Sequence, residues 1–202
     1  MKWGEYLKWL DKNRNREERH SKAIVEEVAR VHDFSVDNVR IFPRRKISGL
    51  EFDLLLEYKT PVKETERNVG ITYMPYKKTR EEKILGIEFK EDKFITAVEQ
   101  AIKRRPYVDY IYVAALAPLE VWNLTGFFQL IYYGIGLVGW TYNGKALCLI
   151  KSSCRVRHRM RYFVFEDLVA KVVEALHKSE LYFDRVESKL KAQQKLDLGV
   201  NG

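Results

Sequence analysis

Period-two alternation marks two stretches of the chain as strands with one packed face. In Leu50 to Tyr58, Phe52, Leu54, Leu56 and Tyr58 fall on one side, and Glu51, Asp53, Leu55 and Glu57 on the other. In Ile84 to Lys90, Leu85, Ile87 and Phe89 face one way while Glu88 and Lys90 face the other. Val39 to Phe42 reads as a further strand, joined to Leu50 by a basic turn containing Pro43, Arg44, Arg45, Lys46 and Gly49. Tyr110 to Ala115 reads as a buried strand, and Leu137 to Ile150 as a hairpin about Tyr142-Asn143-Gly144-Lys145.

Helical periodicity fills the intervals. Trp3, Leu7 and Leu10, with Tyr6 nearby, mark a short amino-terminal helix. Arg16 to Val31 predicts a longer one whose buried stripe is Ile24, Val28 and Val31; Glu27 lies beside the stripe while Glu26 points away, so Glu27 is the better functional carboxylate. After Glu88, Asp92 can cap a helix carrying Phe94, Ile95, Val98, Ala101 and Ile102 and ended by Pro106. A helix at 121 to 133 and a carboxyl-terminal one from Phe165 to about Leu196, with Leu168, Val172, Ala175 and Leu176 then Tyr182, Val186 and Leu190 for packing, complete the series. Strand, amphipathic helix and strand in succession imply a right-handed crossover between parallel neighbours, hence a mixed α/β sheet.

At 202 residues and 46% hydrophobic, the chain supports one core and one domain. The core spans about 16–150, with a basic insertion at about 59–82 that lacks the apolar content to fold alone, apart from a short strand expected at Val69 to Met74. The insertion is either a substrate-facing arm or a solvated loop. Val121 to Gly144 carries no charge, but Asn123, Thr125, Gln129 and four glycines interrupt it, so a buried helix and strand explain it better than a membrane span. Cys148 and Cys154 are the only cysteines, which supports neither a disulfide framework nor a four-ligand zinc site. The amino terminus carries no export signal, and a cytoplasmic location is expected.

A net charge of +8 favours a polyanionic partner, with nucleic acid first. Arg155, Arg157, Arg159 and Arg161 alternate, so a strand there would display four guanidinium groups on one face; the alternative is an edge strand guarded by charge. Arg44, Arg45 and Lys46 form a second candidate contact with phosphate.

The chemistry is expected at Asp53, Glu88 and Lys90. Glu-x-Lys alone is cheap in a chain that is 32% charged, and it recurs at Glu57, Glu81, Glu91 and Glu187. Glu88 stands out because the apolar run Ile84-Leu85-Gly86-Ile87 leads straight into it. Asp53 is set within Phe52-Asp53-Leu54-Leu55-Leu56, where a carboxylate needs either a bound cation or a salt bridge to a nearby Lys. Two carboxylates and an ammonium at a sheet edge are what metal-assisted phosphodiester cleavage requires.

The order helix with Glu27, strand, strand with Asp53, strand with Glu88-Phe89-Lys90, helix, strand resembles the PD-(D/E)xK nuclease superfamily over residues 16 to 116. Ile87-Glu88-Phe89-Lys90 is similar to the Ile-Glu-x-Lys strand of archaeal Holliday junction resolvases and RecB-like nucleases. Val39-Arg40-Ile41 followed by Ser48-Gly49 also resembles the resolvases, and Gln100 looks like the glutamine of RecB-like members. Phe52 replaces the proline that names the motif, and the insertion lengthens the interval from Asp53 to Glu88. The resemblance implies a restriction-endonuclease-like core with mixed sheet and flanking helices, extended by the carboxyl-terminal helix. It implies DNA cleavage dependent on Mg²⁺ or Mn²⁺, with Asp53, Glu88 and Glu27 as ligands and Lys90 beside the water or the transition state. Two alternatives stay open: a catalytically silent DNA-binding protein that keeps the fold, and a resolvase acting as a homodimer. High charge and few glutamines suggest a thermophilic archaeon or one of its viruses.

Overall fold

The structure is a computed structural model that describes residues 1–13, 15, 18–60, 82–116, 124–155, 170–179, 181–182 and 185. Helices α1 (Trp3–Asn13) and α2 (Ser21–His32) precede a β-meander of β1 (Arg40–Ile47), β2 (Leu50–Lys59) and β3 (Glu82–Lys90). Then come α3 (Phe94–Arg104), β4 (Tyr110–Leu116), α4 (Leu124–Tyr133), β5 (Gly136–Trp140) and β6 (Ala146–Ile150). The six strands form one sheet in sequence order. β1–β2–β3 and β5–β6 are antiparallel, while β3–β4 and β4–β5 are parallel, so α3 serves as the crossover that the strand–helix–strand pattern predicted and α4 as a second one.

Two apolar layers enclose the sheet. On one face Trp3, Tyr6 and Leu10 of α1 and Ile24, Val25 and Val28 of α2 pack on Leu54, Leu56, Leu85, Ile87, Phe89, Tyr112 and Trp140. On the other, Phe94, Ala97, Val98 and Ala101 of α3 and Phe127, Leu130 and Ile131 of α4 cover Phe52, Leu55, Ile111, Val113 and Leu137. Residues 170–179 are helical and add Val172 and Ala175 to this second layer. β5 is buried at all five positions because parallel inner strands are covered on both sides. Gly136 admits β4 closely: a Cβ there would run into the Tyr112 ring and the Ser152 amide.

Several expectations are corrected. Pro43, Arg44, Arg45 and Lys46 are not a turn but the middle of β1, and the reversal is made by Ser48 and Gly49. β1 is an edge strand, which tolerates the missing proline N–H, and Arg44 adopts φ 50°. Opposite that distortion, the alternation of β2 breaks. Phe52 joins Leu55 in the α3 layer instead of sharing a face with Leu54, and Arg44 and Asp53 are skipped in the β1–β2 register. α2 starts at Ser21 after a 3₁₀ turn (Glu18–His20), later than the periodicity suggested. Lys93, in the left-handed region, stands at the start of α3 with no side-chain cap, so Asp92 is not the capping residue. α4 is described from Leu124, and no helix among the described residues is long and apolar enough to cross a membrane. The expected strand at Val69 to Met74, the arginines 157, 159 and 161, and most of the helix beyond 179 lie outside the described residues.

Candidate active site

Asp53 and Glu88 come together where β2 and β3 stop pairing. The ladder ends at Leu54 with Ile87, and one step beyond, the Phe89 amide donates to Asp53 Oδ2 at 2.9 Å. A side chain thus takes a backbone donor, and the strands splay. Glu88 and Lys90 point to the α3 side while Leu85, Ile87 and Phe89 pack under α1 and α2, the division the alternation predicted. Asp53 and Lys90 are each half-buried, whereas Glu88 is fully buried.

Glu88 carries the electrostatic tension of the site. Burial, reinforced by the neighbouring Asp53 charge, pushes its carboxyl up to about 9 against the pull of Arg104 and Lys90. Neither Oε1 nor Oε2 has a hydrogen-bond partner. Arg104 NH1 approaches Oε2 at 3.2 Å as an ion pair without hydrogen-bond alignment. Desolvation outweighs that attraction, so at neutral pH and with no further cation Glu88 keeps its proton.

Arg104 was not anticipated from sequence. It closes α3, donates from Nε to the Glu51 carbonyl at 2.6 Å and lies over the Phe52 ring. The signal was its spacing: Ala97, Gln100, Ala101 and Arg104 recur at helical intervals on the sheet-facing side, putting half-buried Gln100 one turn from Arg104.

Glu27 does not join Asp53 and Glu88. Its carboxylate accepts from Arg30 at 2.7 and 2.8 Å and from the Cys148 amide at 2.8 Å, which ties α2 to β6 at the far edge of the sheet. Helical phase put Glu27 beside the buried stripe, but phase cannot say which strand a helix lies over. The α2-side carboxylate linked to the site is Glu18, buried in the 3₁₀ turn and absent from any apolar pattern. Arg44 Nε and NH2 donate to its two oxygens at 3.1 and 2.8 Å. Hydrogen bonding to Glu18 dominates the environment of Arg44, with smaller attractions to Glu51 and Asp53.

The expected phosphate contacts divide. Arg44 also donates to the Asn13 carbonyl and lies over Trp9, so its guanidinium, though partly exposed, is held against the protein surface by these partners. Arg45 is exposed over Phe42, and Lys46 is exposed 3.7 Å from Glu51. Arg155, the one described member of the arginine series, is not itself on a strand: its amide donates to the Asp109 carbonyl and its guanidinium to that of Pro106. Exposed Tyr142, in the turn between β5 and β6, donates to Glu91, one residue past Lys90.

Among the described residues no group of three or more His, Cys, Asp or Glu is placed to hold a metal ion. A pair of carboxylates still suits Mg²⁺, which keeps much of its water and is commonly held by one or two carboxylates together with substrate phosphate. The unpartnered oxygens of Glu88 beside Asp53 fit such an ion. No protein-family model matches the chain, and comparison with curated proteins and with solved structures returns no match.

Proposed function

We propose that the protein is a divalent-metal-dependent DNA nuclease with a restriction-endonuclease-like core of the PD-(D/E)xK type. The observation that carries this reading is the meeting of Asp53 with Glu88, whose buried carboxylate has no hydrogen-bond partner, at the splayed end of β2 and β3 with Lys90 two residues on. A buried carboxyl group left without a hydrogen bond beside a like group is costly, and such groups cluster where chemistry is done. Asp53 and Glu88 would hold Mg²⁺ or Mn²⁺, which supplies neutralisation of the phosphate and a more acidic attacking water. Lys90 positions that water or stabilises charge developing on the phosphate oxygens. Exposed Arg45 and Lys46, with the excess of basic residues, attract the DNA backbone without reading sequence.

A panel of linear, nicked, forked and four-way DNA incubated with Mg²⁺ or Mn²⁺ tests this. Cleavage that needs the ion and disappears in Asp53→Ala, with DNA affinity kept, supports it. Inertness of wild type on every substrate in both metals overturns it.

A second reading has an observation of its own. Arg104, 3.2 Å from Glu88, supplies a positive charge where the ion would bind. On that ground the fold would serve as a DNA-binding module with a structural ion pair, which uncut but salt-sensitive DNA binding would favour.

A further inference from the structure

Arg104 is held in a way that suits exchange of its partner. Its side chain is only 13% exposed, anchored through Nε to the Glu51 carbonyl and lying over Phe52, so the guanidinium stays near the site whatever its outer nitrogens do. Those outer nitrogens do not make the aligned fork that arginine offers a carboxylate kept purely for structure, since Glu88 remains without a hydrogen bond. Charge balance points the same way. With the Glu88 proton in place, Asp53 brings one negative charge and Arg104 and Lys90 two positive ones, so a dication, which must displace that proton to bind Glu88, meets net repulsion unless a resident cation moves.

We infer that Arg104 is a resident counter-ion of the site, occupying the position beside Glu88 that a divalent ion takes and leaving it when the ion enters. This rests on the reading of Asp53 and Glu88 as the metal carboxylates. Arg104 is therefore a positioning residue: it sets how readily the ion binds and, in the ion's absence, lies beside the protonated acid at 3.2 Å. The anchor at Glu51 makes the movement a pivot of the rigid guanidinium plane about its Nε contact rather than a loss of the whole side chain from the site.

Two resonances in the intact ¹⁵N-labelled protein test it during titration with Mg²⁺. The Phe89 amide, bonded to Asp53, reports whether the ion has arrived, and the Arg104 Nε–H reports on the guanidinium. Both are expected to move together with one saturation curve. If Phe89 responds while Arg104 Nε–H does not, the counter-ion role fails and the metal site stands. If neither responds up to tens of millimolar Mg²⁺, the metal reading itself fails. Calorimetry with Mn²⁺ gives the amplitude: Arg104→Gln, which keeps a donor but no charge, binds about tenfold or more tightly than wild type, from removal of one unit charge a few ångströms away. Arg104→Lys stays within about threefold of wild type. Equal or weaker binding in Arg104→Gln overturns the inference, and if that variant does not fold the resonances of the wild-type chain decide alone.

Discussion

Asp53 Oδ2 accepts the Phe89 amide at 2.9 Å, so the carboxylate stands within β2 at the point where its ladder with β3 stops. Asp53→Asn keeps an acceptor for that amide, whereas Asp53→Ala leaves it without one at a cost of about 1–3 kcal/mol. Both variants are expected to lose Mg²⁺-dependent cleavage by at least on the order of a hundredfold. Only the alanine variant should lose stability in urea. An asparagine variant that cuts DNA normally would remove Asp53 from the chemistry.

Glu88 sets a pH dependence of stability. Its folded-state value near 9 lies above the ordinary carboxylate value, so the folded protein holds this proton more tightly than the unfolded chain does. The associated stability is present below about 4.5 and is lost as pH rises toward about 9. Melting curves of wild type and Glu88→Gln in EDTA should diverge through that window, wild type falling relative to the variant. Parallel curves would contradict the assignment.

Arg44 and Arg45, adjacent in β1, are expected to behave oppositely. Arg44→Ala strands the buried Glu18 carboxylate and should cost about 2–3 kcal/mol, less than a fully buried pair because Arg44 is partly exposed. Arg45→Ala should leave the urea midpoint unchanged and weaken DNA binding, lowering the salt slope by about one. Denaturation and binding titrations at several salt concentrations separate the two. A reversal of these roles would undo the assignment of Arg44 to the Glu18 pair.

His32 sits 2.7 Å from the Tyr112 hydroxyl and is ringed by Tyr58 and Tyr110. Burial, with Lys151 adding to it, lowers its pKa to about 4. The folded form binds this proton more weakly than the unfolded chain, so stability is full above about 6.5 and falls as pH drops toward about 4. An NMR titration should find this imidazole neutral at pH 6, and His32→Gln should flatten the acid limb of the stability profile. A titration near 6.5 would contradict it.

The elements and their faces were legible where one residue pattern decided them. Leu85, Ile87 and Phe89 against Glu88 and Lys90 follow from the pleat alone, and the β3–α3–β4 crossover follows from the order of periods. The same logic failed for Phe52 and Leu54, because a distortion at Arg44 in the neighbouring strand breaks the alternation, and no pattern within β2 signals a fault in β1.

By itself the sequence determined most of the strands and helices, and that Asp53 lies on one strand and Glu88 and Lys90 on the next, since backbone periodicity is a local property. Which carboxylate of the α2 region is linked to Asp53, and which cation meets Glu88, only tertiary structure decided. Glu27 turns to β6 while Glu18 engages Arg44 and, through it, the Asp53 side of the sheet. Arg104 reaches Glu88 because α3 packs across β3. These pairings depend on how whole elements are placed against one another, and a helical phase or a strand pleat carries no record of its distant neighbour.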